Sequence, residues 1–236
     1  MLLFYVRHGD PIYSPDSLTE LGHKQAEALV SRMKICNPDR IYASSSNRAI
    51  LTATPTAEAL GKQIEILDWC NEAHSAKALF YTGSSGDRDW IFRHKESLPI
   101  LVSEEVRMLD REWYKHPFFH KMPWLEEEMA RMRREVDGFM LSLGYRHEGN
   151  GYVVEAPKFE RIALFAHQGF GLSFLSTLLD IPYSQFATRF DMGHSSVTVI
   201  EFGEKGFVVP TVLQLSNDSH IFASDMETKY HNQILF

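Results

Sequence analysis

The sequence is short of cysteine, of net positive charge and of long apolar runs, and each shortage closes off a class of protein. Its two cysteines, Cys36 and Cys70, stand in no metal-binding or redox spacing, which leaves out a disulfide scaffold or a zinc module. Lys and Arg number 24 against 31 Asp and Glu, a formal net charge of −7. Neither nucleic acid nor a membrane surface is expected as the main partner of so acidic a chain. No run approaches a membrane span, and no basic segment leads into an apolar core with a small-residue cleavage site. The expectation is therefore a cytoplasmic protein. What is present is ordinary for a globular fold: 44% hydrophobic and 23% charged residues over 236 positions, enough for a full core.

Apolar runs of strand length punctuate the chain. Leu2–Val6 reads as a buried strand and Arg40–Ser44, Ile64–Leu67 and Arg161–Ala166 as further strands, while helical patterns open near Thr19, near Arg48 and at Gln168. Thr19 suits an N-cap, and Pro55 predicts a kink or restart in the second helix. Ser196–Phe202 and Phe207–Leu215 read as a closing hairpin. Strands alternating with helices predict an α/β fold, a three-layer sandwich with a mostly parallel central sheet flanked by helices. The interval from about 78 to 152 breaks this rhythm with aromatics, mixed charge and a long amphipathic helix from Trp124 to Leu143. It predicts an inserted helical cap over the C-terminal strand ends, within a single domain spanning 1–236.

The chemistry gathers where those strands stop. The first delivers Arg7 and His8 to its carboxyl end, where ligands collect in open α/β sheets, and Gly9 is expected to let the backbone turn. A guanidinium fork beside an imidazole suits a phosphoryl group: one binds oxygens in pairs, the other can attack phosphorus. Arg48 opens a helix, a place where a cation is unfavourable without an anionic ligand. Glu72 follows the third strand, with Asp68 and Asp10 as rival carboxyl groups. His167 and Gln168 follow the Arg161–Ala166 strand, at the start of a helix that can aim N–H groups at the same anion. His116 and His120 have the spacing of a helical metal pair, but Pro117 between them argues against a helix there.

The segments FYVRHGD, LTELGHKQA, IYASSSNRAILTA, the NEAH turn, LFAHQG and SSVTVIEF together resemble the histidine phosphatase superfamily, the group that contains the phosphoglycerate mutases. The resemblance covers most of the chain outside the insertion. It implies that His8 is the nucleophile and forms a phosphohistidine, that Arg7 and Arg48 clamp the phosphoryl oxygens, and that His167 adds a donor. Glu72 would be the general acid, and Gln168 would stand on the substrate side. No metal and no cofactor are implied. The physics agrees: nearby cations keep a nucleophilic imidazole neutral, and phosphoryl transfer is mostly positioning and charge stabilisation.

Two positions depart from the family pattern, Gln168 where glycine is usual and His194 where asparagine is frequent. The run after Glu72, NEAHSAKALF, lacks the arginine, tyrosine and glycine found there in the glycolytic mutase. The expectation is thus a metal-independent phosphomonoesterase acting on a small phosphorylated metabolite. A mutase is the alternative, with Arg88, Arg93, Arg107 and Arg111 as candidate extra cations. A non-catalytic phospho-ligand binder is a third reading, disfavoured because every expected catalytic position is filled.

Overall fold

The computed structural model describes residues 1–156 and 160–226. Strand β1 (Leu2–Arg7) sorts the core by its two-residue alternation. Leu3 and Tyr5 point into one buried cluster, while Phe4 and Val6 point into another on the opposite face. A strand buried on both faces has no use for polar residues, which is why the run is continuously apolar.

Strands β4 (Arg40–Ser44), β5 (Ile64–Leu67) and β10 (Arg161–Ala166) lie parallel to β1, in the order β1-β10-β4-β5. Strand β11 (Val197–Glu201) runs antiparallel on the other side of β1, and β13 (Thr211–Asn217) pairs antiparallel with β11 to complete six strands. Helices α1 (Glu20–Cys36) and α2 (Asn47–Leu60) cover one face with Leu29, Met33, Ala53 and Ala57. Thr19 caps α1 by accepting from the Gly22 N–H at 3.0 Å. Of the kink or restart expected at Pro55, the restart does not occur: α2 continues through Pro55 as a single helix.

The closing hairpin also differs from its expected form. Val197–Glu201 pairs with Thr211–Asn217, whereas β12 (Phe207–Val208) joins a separate three-stranded sheet with β9 (Gly151–Val154) and β8 (Tyr145–Glu148). Nothing local marks that switch, because the pairing partner lies more than fifty residues away.

The insertion divides into two parts. Helix α3 (Glu72–Leu79) leads into a hairpin of β6 (Phe80–Thr82) and β7 (Arg88–Trp90), which borders the strand ends. Short helices α4 (Leu98–Leu101) and α5 (Glu104–Leu109) and two 3-10 turns then lead to α6 (Leu125–Ser142). Helix α6 covers the second face of the sheet, where Phe139 meets the Tyr42 ring edge-on at 5.3 Å. It packs beside α7 (Gln168–Leu178), which is buried almost all round. The aromatics Tyr81, Phe92, Trp113 and Phe119 belong to the same core cluster as Leu3 and Tyr5. Helices α8 (Tyr183–Phe186) and α9 (Ser219–Phe222) complete the described chain, and no helix among the described residues is long and apolar enough to cross a membrane.

Candidate active site

The ends of β1, β4, β5 and β10 lie at one edge of the sheet because those strands are parallel. His8 follows β1 directly and its backbone is fixed on both sides. Its N–H donates to Ala166 O at 2.9 Å, and its carbonyl accepts from Ser195 N at 3.0 Å. Gly9 shows no left-handed backbone; its lack of a side chain serves a close approach instead. A Cβ at Gly9 would fall 2.7 Å from the Gly22 carbonyl at the start of α1.

The tautomer of His8 follows from its partners. Nδ1 lies 2.7 Å from Gly9 O, which can only accept, so Nδ1 carries the proton. Nε2 then holds the lone pair, and it accepts from Arg48 Nε at 3.2 Å. Burial pushes His8 well below its ordinary 6.5, and His167, Arg7 and Arg48 add to the shift. His167 is likewise pushed well below 6.5 by burial, then by Arg48 and Arg7. The two rings meet at 5.2 Å, edge to face. His194 stands 5.8 Å from His8 on another side and pairs with Asp10 at 3.2 Å.

Arg48 is the hub. Besides His8, it reaches Asp16 Oδ1 through Nη1 at 2.8 Å and Glu72 Oε2 through Nη2 at 3.3 Å. The other Glu72 oxygen accepts from Gly169 N at 2.7 Å, at the N-terminus of α7. Arg7 is buried and gives Nη1 to Met192 O, while its Nε has no partner among the described residues. His167 Nε2 meets Ser44 Oγ at 2.8 Å, and among the described residues its Nδ1 also has no hydrogen-bonding partner. An unpaired donor on the buried Arg7, near a buried histidine whose open Nδ1 donates when it carries the proton, suits an anion.

The structure thus brings together Arg7, His8, Arg48, Glu72 and His167. Gln168 is adjacent but gives its amide nitrogen to Asp191, which also receives Arg93 at 3.5 Å. The rival Asp68 is turned outward: its side chain is 77% exposed and bound to Ser45 and His74, against 15% for Glu72. His116 caps a 3-10 turn through Phe118 N at 3.2 Å, and His120 is exposed. Of the arginines weighed as extra cations, Arg107 pairs with Glu104, and Arg111 pairs with Asp180 in a separate cavity at the C-terminal end of α7.

Tyr13 and Asp16, which no sequence motif marks, sit in a hairpin of β2 (Pro11–Tyr13) and β3 (Asp16–Leu18). Asp16 anchors Arg48, and the Tyr13 ring lies 5.4 Å from that guanidinium. A cavity of about 460 Å³ opens beside the cluster, bounded by these two residues, Arg48, Glu72, Phe80 and Trp90. His8, Glu72 and His167 offer ligand atoms within 4.8 Å of one another, a set that could hold a metal. Two guanidinium groups against the same atoms oppose a divalent cation and favour an anion.

The fold has known counterparts. The phosphoserine phosphatase of Entamoeba histolytica, solved with 3-phosphoglyceric acid, superposes with a TM-score of 0.59 at 17% identity, over 93% of this chain and 98% of that one. The mycobacterial glucosyl-3-phosphoglycerate phosphatase with VO3 gives 0.55 at 18% identity, over 92% and 98%. The alpha-ribazole phosphatase of Shigella flexneri gives 0.59 at 19%, over 92% and 97%. At such identities the likeness establishes the fold. No curated protein matches in sequence. The family profile of the histidine phosphatase superfamily (branch 1) matches residues 3–78 and 96–214, passing over the β6–β7 hairpin, and the chain therefore belongs to that superfamily.

Proposed function

We propose that the protein is a phosphomonoesterase that transfers a phosphoryl group from a small substrate to His8 and then to water. The observation that carries this reading is the His8 tautomer: Nδ1–H is held by Gly9 O, so the Nε2 lone pair faces Arg48 in the anion site. Neutral imidazole is the nucleophilic form.

In the first step the Nε2 lone pair forms a bond to phosphorus as the ester P–O bond breaks. Arg7 and Arg48 hold the equatorial oxygens, and His167 Nδ1 adds a donor when it carries the proton. The substrate monoanion and the Glu72 carboxyl group share one proton between them, and Glu72 delivers it to the leaving oxygen. In the second step a water attacks phospho-His8 and gives its proton to Glu72. The P–N bond breaks, its electrons return to Nε2, and phosphate leaves. Gln168 positions the loop that holds Arg7, through Asp191 and the adjacent Met192 carbonyl. The three phosphatases with this fold support hydrolysis as the outcome.

The test is phosphate release from a panel of phosphomonoesters in the presence of chelator, by the wild type and by His8→Ala. Release by the wild type alone, with an acid-labile phosphorylated enzyme absent from the variant, is the expected result. Equal release from both proteins overturns the mechanism. Transfer of the phosphoryl group to a second substrate hydroxyl, without release, replaces hydrolase by mutase.

A further inference from the structure

The phosphoryl cluster explains one end of the 460 Å³ cavity and leaves the remaining wall unaccounted for. That wall is aromatic. Phe80 and Trp90 face each other across the β6–β7 hairpin, with rings stacked at 4.7 Å and 27°. Phe92 stacks behind Trp90 at 5.6 Å, and the Arg88 guanidinium lies 4.8 Å from the Phe80 ring. The ring faces are therefore largely used by neighbours, and the pair presents a rigid apolar edge to the cavity. The floor is Ala73 and Ala76, nearly one turn apart on α3, whose small side chains leave the space open.

The wall begins where a leaving group must emerge. A Cβ on Gly169 would lie 2.2 Å from Trp90 Cη2, so the indole rests directly on the backbone of Gly169. The N–H of that same Gly169 holds Glu72. An alcohol protonated by Glu72 consequently departs along the Trp90 edge.

Charge sets the second constraint. Among the described residues Arg48 is the only cation lining this cavity, and Asp16 and Glu72 already face it. Arg93 is turned to Asp191. A carboxylate or second phosphate on the leaving group would meet Asp16 and aromatic carbon, with no lining cation of its own. Ser46 and Asn71 offer such a group only neutral donors, short of what its charge loses in hydration.

Resting on the phosphomonoesterase reading, we infer that the Phe80–Trp90 wall selects monoesters of bulky, uncharged, apolar alcohols and disfavours those whose alcohol carries a second acidic group. The hairpin that supplies this wall lies in the stretch the family match passes over.

The experiment compares kcat/KM for 2-phenylethyl phosphate and O-phosphoserine, both esters of primary alcohols. Wild type is expected to prefer the phenylethyl ester by about 10–200-fold, the range a hydrophobic pocket supplies. Trp90→Ala should bring that ratio toward unity, and Trp90→Phe should keep most of it. Disturbance of Glu72 through Gly169 would slow both esters alike, so the ratio isolates the wall. Phe80→Leu gives a second reading if Trp90→Ala does not fold. Equal or better use of O-phosphoserine by the wild type overturns the inference, as does a ratio unchanged in the folded variants. Failure to release phosphate from every ester, with no phospho-His8, removes the phosphomonoesterase reading itself and this inference with it.

Discussion

Arg48 Nε donates to His8 Nε2 across 3.2 Å, so the clamp and the nucleophile form one hydrogen-bonded unit. Asp16 and Glu72 hold the rest of that guanidinium, at 2.8 and 3.3 Å. The consequence is a site whose electrostatics are set before a phosphoryl group enters, with one donor already aimed at the atom that attacks.

Replacing Arg48 should therefore cost catalysis more than folding. Arg48→Ala is expected to lower kcat by about 10²–10³-fold, the scale for losing one preorganised donor to developing charge. Arg48→Lys should recover little, because an ammonium cannot address His8, Asp16 and Glu72 with one planar fork. Steady-state kinetics on any accepted ester checks this, and a loss under tenfold would remove Arg48 from the transition state.

Glu72 is tied to Gly169 N and Arg48, within 4.0 Å of His167. As the proton donor to the leaving oxygen it matters most when that oxygen is a strong base. Glu72→Gln should slow alkyl esters by about 10²–10⁴-fold and 4-nitrophenyl phosphate far less. Equal slowing of both would show that Glu72 only holds Arg48 in place.

The buried histidines set the acid limit of stability. His8 and His167 fold with values well below 6.5, and His220 is lowered to about 4, in each case chiefly by burial. Below their ordinary 6.5 the unfolded chain takes up protons that the folded chain does not yet bind. Stability is therefore fully present above that pH and declines as pH falls toward the folded values. Denaturant midpoints measured from pH 8 down to 4.5 should be flat at first and then fall. Turnover should not drop at pH 6.5 through protonation of His8. A loss of rate centred there would show that His8 is not held neutral.

The parts legible in the sequence are those where one run of residues carries its own physics. Leu2–Val6 and Ile162–Ala166 are continuous apolar runs because both faces of the sheet are covered, and each is followed at once by a polar residue with a chemical use, Arg7 and His167. Asp16 was illegible for the opposite reason. Its role is a pairing with Arg48 across 32 positions, and Asp10–Ser17 reads locally as loop. The same holds for Asp191, whose bonds to Gln168 and Arg93 join three distant segments. Gly9 reads in the sequence as a turn residue, but close packing against Gly22, rather than a turn, is what excludes a side chain. Trp124–Leu143 reads as a long amphipathic helix, and one spans Leu125–Ser142, yet periodicity alone cannot say that its apolar face lies on the sheet.

The contact between Gly169 and Trp90 offers a test that needs both residues. A methyl group at position 169 would stand 2.2 Å from the indole, too close for the ring to stay. Gly169→Ala is therefore expected to destabilise the protein by about 1–3 kcal/mol, the usual range for overpacking. It should also displace the N–H that holds Glu72 and lower kcat on alkyl esters. In a Trp90→Ala background the methyl group has room, so Gly169→Ala should cost much less there. A double-mutant cycle in denaturant measures this coupling directly. Additive effects would mean that the indole does not rest on Gly169 in solution, and the path along which the leaving group departs would have to be redrawn.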